Sequence, residues 1–396
     1  MAQKIAKLGF SLLLLGGVLS CTDKVENKEY LTDEIEVVKT QYAPDKRVAL
    51  FDVNAEKSGN AYILKGESNL PDAVATLKSN LENAKIEYVD SIQLLPAAKL
   101  ADKTRGLVTI SVANLRSQPK HSAELATQAT LGTPVKILKN DGSWLLIQTP
   151  DHYLSWVDNG GVEPITEAEL EQWKKEPKLI YTNISGSSYS EPNTASQVVS
   201  DIVAGGILQI LGEEKGFYKV SYPDQRIAFI NKNEAELYDS WISQADPSEE
   251  NLVATSKSLM GLPYLWGGTS PKGVDCSGFT KTIYFLNGIV LPRDASQQIH
   301  TGEQIDDTKN FKDLLPGDLL FFGTKATDST KERVVHVGMW IGNNEFIHSA
   351  GRVKINSVDK DAPNYDAYNV NRYLRTKRPL NGPKEGLINL KSTPLL

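Results

Sequence analysis

Cysteine is scarce in this sequence: 396 residues carry only Cys21 and Cys276. Two cysteines exclude a disulfide framework, and they exclude a structural zinc site, which needs four ligands at short spacings. An H-E-x-x-H zinc-hydrolase motif and a G-x-x-x-x-G-K phosphate cradle are both missing, so neither a metal nor a cofactor is expected. Basic tracts are missing too, and with a formal net charge of −6 nucleic acid is not an expected partner. The longest apolar run, residues 8–19, falls short of the roughly 20 residues that cross a bilayer.

That short run follows Lys4 and Lys7 and ends in Val18-Leu19-Ser20-Cys21, the pattern of a secretory leader. The ending resembles a bacterial lipobox, in which the cysteine becomes the lipidated first residue of the mature protein. The resemblance implies a leader at 1–21, lipid on Cys21, and a lipid-anchored protein of the cell envelope, periplasmic or outer-membrane. Residues 22–44 begin polar and acidic and read as a tether. With Cys21 lipidated, Cys276 has no disulfide partner, and a lone thiol in an exported protein is a flag for reactivity. On frequency alone such a cysteine is a small core hydrophobe, so its surroundings must decide.

The length calls for several domains. Residues 45–103 read as a small α+β domain: 48–51, 62–64 and 86–89 look like strands, and Val74, Leu77 and Leu81 recur at helical spacing. No chemistry is visible in it. An internal repeat follows. Pro119 and Pro192, Trp144 and Phe217, Asp151 and Asp224, Trp156 and Phe229 all stand 73 residues apart. Short alternating runs separated by turn residues make each copy a small β-barrel, at 104–164 and 178–240. Between them, 165–177 is a helical linker with Leu170 and Trp173 on one side. Val112 to Pro119, Gly142-Ser143-Trp144 and Ser155-Trp156-Val157 resemble bacterial SH3-like domains; the second copy does so through its alignment to the first.

Residues 247–380 hold Cys276 and three of the five histidines, and 381–396 read as a tail. Phe279, Ile283 and Leu286 recur at helical spacing and Asn287-Gly288 ends the run, so Cys276 sits in the first helical turn with Asp275 as N-cap. A helix start and a nearby imidazole favour the thiolate, whereas the Asp275 carboxylate opposes it. The conflict resolves if Asp275 faces a cation, and a substrate's free amine would serve.

His336 and His348 lie on two strand-like runs, 334–341 and 345–350. A two-residue loop at Asn343-Asn344 puts them on opposite faces of the hairpin. A three-residue loop, 342–344, sets His348 opposite Gly338 and puts both on one face, about 7–8 Å apart at the backbone. The odd loop is expected, with His336 taking the thiol proton and His348 orienting its ring. His121, His152 and His300 stand in polar loop contexts and are left out of the site.

Six motifs in order, Tyr264-Leu265-Trp266-Gly267-Gly268, Asp275-Cys276-Ser277-Gly278-Phe279, Leu291-Pro292-Arg293-Asp294, Pro316-Gly317-Asp318-Leu319, His336-Val337-Gly338-Met339 and Phe346-Ile347-His348-Ser349-Ala350, resemble the NlpC-type family of cell-wall cysteine peptidases. The resemblance covers about a third of the chain. It implies an α+β fold, with a papain-like C-terminal domain behind the two barrels and the N-terminal domain, and a triad of Cys276, His336 and His348. Tyr264, Trp266, Asp275, Ser277 and Arg293 would line the substrate cleft. Tandem SH3-like domains before such a peptidase imply a monomeric enzyme that cuts γ-D-glutamyl-diamino acid bonds in peptidoglycan-derived peptides with a free N-terminal L-alanine. A general endopeptidase, an acyltransferase with the same triad, and a non-catalytic wall-binding lipoprotein remain as alternatives. Two departures from the family pattern stand out: Ala295 where a serine is common, and a polar insertion at 324–333.

Overall fold

The computed structural model describes residues 19–58 and 61–395, with side chains from Tyr30 onward. The expected leader lies outside these residues apart from its last three, and the Cys21 side chain is not among those described. The described residues divide into two compact units, one running up to residue 46 and on through 50–94, and one of residues 47–49 and from 95 onward.

In the first unit the Phe51–Ser58 and Ala61–Ser68 strands pair antiparallel, and the Tyr88–Leu94 strand joins the second one in parallel. The parallel pair demands a crossover, which the Pro71–Asn83 helix supplies, burying Val74, Leu77 and Leu81. The region read as a tether is a helix over Leu19–Tyr42. Leu31, Ile35 and Val38 explain the difference: they recur every three or four residues and are buried, and Tyr42 and Glu34 bond Thr76 and Asn80 of the second helix. The acidic composition hid an apolar stripe.

The second unit opens with the repeat. Strands Arg105–Val108, Val112–Arg116, Leu125–Thr130, Pro134–Asp141, Trp144–Gln148 and Leu154–Asp158 recur, 73 residues on, as Lys178–Tyr181, Ser185–Tyr189, Val198–Val203, Ile207–Glu214, Phe217–Ser221 and Ile227–Asn231. Strand order is the same in both seven-stranded sheets. Between the barrels, the Glu167–Lys175 helix starts at a Thr166–Glu169 capping box and buries Leu170 and Trp173.

The C-terminal domain is a six-stranded antiparallel sheet in the order Glu303–Asp306, Tyr373–Arg378, Leu319–Thr324, Arg333–Gly342, Glu345–Ala350, Arg352–Ser357. Phe279 and Ile283 of the Cys276–Phe285 helix pack on one face with Leu319, Phe321, Val337, Met339 and Ile347. Leu320, Phe322, Trp340, Phe346 and Tyr373 form a second apolar layer. The segment read as a tail is integrated: Ile388–Asn389 pairs with Ile289–Val290 and Leu390 is fully buried. Among the described residues no helix is long and apolar enough to cross a membrane, and no group of three or more His, Cys, Asp or Glu is placed to hold a metal ion.

Candidate active site

Cys276 is the first residue of its helix, and Asp275 is the N-cap, accepting from the Gly278 N–H at 2.7 Å. The thiol is buried at 9% exposure. Burial, and next the Asp275 carboxylate, push it up to about 11. The N–H groups of Val337 and Ser277 and the Arg293 charge pull the other way without prevailing.

The cation that Asp275 faces belongs to the protein. Arg293, 1% exposed, donates from Nη2 to Asp275 Oδ2 at 2.6 Å and from Nη1 to Oδ1 at 3.2 Å. The Gly267 N–H donates to Oδ2 and the Ser277 hydroxyl to Oδ1, at 3.0 and 3.3 Å. With the Gly278 N–H, five donors occupy this carboxylate. The expectation that Asp275 meets a substrate ammonium is therefore revised: a buried acid must be paired, and Arg293 pairs it. Arg293 also donates to the Ser277 hydroxyl at 3.1 Å. Its Nε has no acceptor among the described residues.

The two histidines meet. His336 Nε2 and His348 Nδ1 are 2.7 Å apart, both rings being buried. The expected three-residue loop is not what brings them together. The turn has two residues, Asn343 and Asn344, both with positive φ, and Gly342 pairs with Glu345 across it. A β-bulge at Ile341 then shifts the ladder by one, so that Trp340 faces Phe346 and Met339 faces Ile347. Bulge and even loop together give the register that an odd loop would have given. In that register Gly338 stands beside His348. A Cβ on Gly338 would lie 2.8 Å from the Phe346 ring and 3.2 Å from the His348 Cβ, so glycine leaves the room in which the rings approach.

Beyond His348 lie two polar residues that the sequence did not disclose. His348 Nε2 contacts Asn356 Oδ1 at 2.8 Å, and Asn356 Nδ2 donates to the Asn364 carbonyl at 2.8 Å. A carbonyl only accepts, which fixes the Asn356 amide and makes His348 Nε2 a donor. Burial lowers His348 to about 4 and is the main reason that His336 falls well below the ordinary histidine range, so both rings are neutral near pH 7. Neutral His348 then has a bare Nδ1 that accepts from His336 Nε2–H. That leaves Nδ1 of His336 as the free lone pair. Asp366 Oδ2, 4.0 Å from His348 Nε2, stands behind the relay. Asn356 and Asp366 carried no spacing signal, being polar residues on the next strand and in a loop.

Tyr264 is half-buried, and burial followed by the Cys276 charge push its hydroxyl up to about 12, so it keeps its proton. Trp266 is 63% exposed, and its indole N–H donates to Glu124 of the first barrel at 2.6 Å. The first barrel also reaches the next residues of this wall. Tyr153 donates to Asp294 Oδ2 at 3.1 Å, and Arg47, at the head of this unit, donates to the same oxygen at 2.8 Å. Gly267, at φ +79°, lies so close to the barrel that a Cβ would come 2.1 Å from the Leu125 carbonyl oxygen. Ala295 is buried at the first position of the Ala295–Gln298 helix, and the insertion includes Glu332, which pairs with Arg375.

Residues 261–372 match the NlpC/P60 family and residues 111–163 the bacterial SH3 domain. The gamma-D-glutamyl-L-lysine dipeptidyl-peptidase of Bacillus cereus is 34% identical over 57% of this chain and 67% of its own length. The dipeptidyl-peptidase 6 of Lysinibacillus sphaericus is 27% identical over 65% of this chain and 93% of its own. The probable endopeptidase NlpC homolog of Haemophilus influenzae is 33% identical over 43% of this chain and 81% of its own. A solved NlpC/P60 family structure from Bacillus cereus superimposes with a TM-score of 0.59 at 28% identity, covering 70% of this chain and 99% of that one. Motifs, sheet and relatives agree, and the chain belongs to the NlpC/P60 family.

Proposed function

We propose that this enzyme hydrolyses the bond between γ-D-glutamate and a diamino acid in peptidoglycan peptides that begin with a free L-alanine, through Cys276, His336 and His348. One observation carries the reading: a buried thiol at a helix start shares its domain with a directional relay, Asn356 to His348 to His336, that leaves one imidazole nitrogen bare. As the Cys276 sulfur adds to the carbonyl carbon, its proton passes to His336 Nδ1. His336 returns that proton to the leaving nitrogen, the C–N bond breaks, and the acyl group stays on sulfur as a thioester. Water, deprotonated by His336, then releases the acid and the thiol re-forms. The Cys276 backbone N–H and the protonated Tyr264 hydroxyl are the donors offered to the oxyanion.

Asp275 is saturated; Asp294, whose side chain is 28% exposed and already accepts from Arg47 and from Tyr153 of the first barrel, is the more accessible acid for an ammonium. Lipid on Cys21 anchors the protein in the cell envelope in this reading. The test offers purified protein L-Ala-γ-D-Glu-diaminopimelate beside its N-acetylated form, with Cys276→Ala as control. Cleavage of the free peptide alone, lost in the variant, is the expected result. Cleavage of both removes the amine requirement, and cleavage of neither overturns the reading.

A further inference from the structure

Most buried or half-buried cations of the C-terminal domain have a carboxylate: Arg293 has Asp275, Lys281 has Asp151, Arg378 has Asp318 and Arg375 has Glu332. Half-buried Lys354 and Arg372, beside the histidine pair, do not, and neither does exposed Arg352 nearby. Lys354 stands directly across the strand pair from His348, and Arg352 directly across from Ala350. Directly opposed residues share a face, with Cβ atoms about 4.5–5.5 Å apart. Both side chains therefore leave the sheet on the face that carries His348, and neither meets a carboxylate among the described residues. Arg372 approaches from the end of the Ala367–Asn371 helix. It donates to the Asn369 side-chain oxygen from Nε and Nη2 and stacks 4.2 Å from the centroid of Tyr368, itself 71% exposed. The charges of Lys354 and Arg372 both reach His336 and His348. Asp366, 4.0 Å from His348 Nε2, offsets part of this charge, and three cations against that one acid, in a chain of net charge −6, leave a local positive excess beside a reaction centre, a field for an anion.

Which part of the substrate meets this field follows from the chemistry. His336 returns its proton to the leaving nitrogen, so the leaving residue departs on the imidazole side, where these cations stand. The acyl part lies towards Asp275, Asp294 and the first barrel. We propose that Arg352, Lys354 and Arg372 bind a carboxylate borne by the leaving amino acid, and so set the preference of the enzyme for the third residue of the peptide. The inference rests on the peptidase reading above and extends it. Diaminopimelate differs from lysine by one carboxylate at the end of its side chain. Lysine presents only an ammonium there, which three cations repel; diaminopimelate presents a carboxylate beside its ammonium and neutralises them. The free C-terminal carboxylate of a tripeptide is the other source of the same chemistry.

Three peptides separate the sources: L-Ala-γ-D-Glu-diaminopimelate, L-Ala-γ-D-Glu-L-Lys, and the lysine peptide amidated at its C-terminus. The wild-type enzyme should favour the first over the second by about tenfold or more in kcat/KM, the order of effect of one partly screened charge pair. Lys354→Ala and Arg352→Ala should each shrink that ratio, Lys354→Glu should bring it to unity or invert it, and Lys354→Arg should restore it. Because each result is a ratio within one protein, a variant with less folded material still gives a valid reading. Equal rates on the two acids, with the amide much slower, would assign the field to the C-terminal carboxylate and support the inference in that form. Wild-type ratios near unity for all three peptides, or ratios unchanged in Lys354→Glu, would overturn it while leaving the peptidase reading intact. Failure to cleave any of the three would instead sink the peptidase reading, and the inference with it.

Discussion

A thiol at a helix start is ordinarily favoured as a thiolate, yet Cys276 is held as a thiol. The helix end is offset by Asp275, the Arg293 charge is spent on that same acid, and His336 is too deeply buried to carry a proton. In the proposed mechanism proton transfer therefore accompanies attack instead of preceding it. Because the thiol is pushed up to about 11, its reactive fraction grows tenfold per pH unit across neutrality. Inactivation by iodoacetamide should accelerate with near unit slope from pH 7 to 9; a flat profile there would reveal a thiolate-imidazolium pair and refute the neutral resting state. Asn356 belongs to the same argument. Replacing it with Leu strands the buried His348 N–H, a loss of about 1–3 kcal/mol, and kcat should fall about ten- to hundredfold with little change in KM. Asn356→Asp keeps an acceptor but adds a negative charge, which favours the protonated imidazoles. Their pKa values rise, so the acid limb of the rate profile should move to higher pH, a shift that a merely structural role would not produce.

At the scale of elements, the hairpin shows what a sequence can and cannot carry. Alternating patterning located both strands, helical spacing put Cys276 at a helix start, and those alone bring the three residues into one domain. The face shared by His336 and His348 was legible, but its cause was not. Loop length is read from turn residues, whereas a bulge at Ile341 leaves no mark in composition, and here the bulge supplies the shift that an odd loop would have supplied. The helix over Leu19–Tyr42 was missed for a related reason, since Leu31, Ile35 and Val38 are diluted by acidic neighbours. The cation facing Asp275 was sought in the substrate because its partner Arg293 is 18 residues away, a separation that no local pattern encodes. Gly338 gives the hairpin a direct test. Valine there would crowd Phe346 and His348 at a cost of about 1–3 kcal/mol, and would wedge the rings apart. We expect a folded protein with the same far-UV dichroism and a kcat reduced by at least about tenfold, the factor that 1.4 kcal/mol represents. Undiminished kcat would show that ring contact is not needed.

For the second unit as a whole, the first barrel and the catalytic helix are joined by charge in the interior. Lys281 of that helix donates to Asp151 at 2.6 Å and to the Leu291 carbonyl at 2.8 Å, with side chains only 14% and 9% exposed. Gln128 of the barrel accepts from the Thr269 N–H and the Ser270 hydroxyl at 3.0 and 2.9 Å, closing the same seam. Such a pair need not stabilise relative to an apolar one, but breaking it leaves a buried charge alone, at a cost of about 3–5 kcal/mol. Lys281→Met should therefore lower the urea midpoint strongly, and adding Asp151→Leu should recover much of the loss, because the orphaned carboxylate is gone. The coupling has a second reading in calorimetry. If barrel and catalytic domain unfold as one body, the single variant moves one shared transition. If they unfold apart, removing Lys281 splits the endotherm, and the barrel becomes an appendage whose loss leaves the cleft wall at Trp266 and Asp294 open.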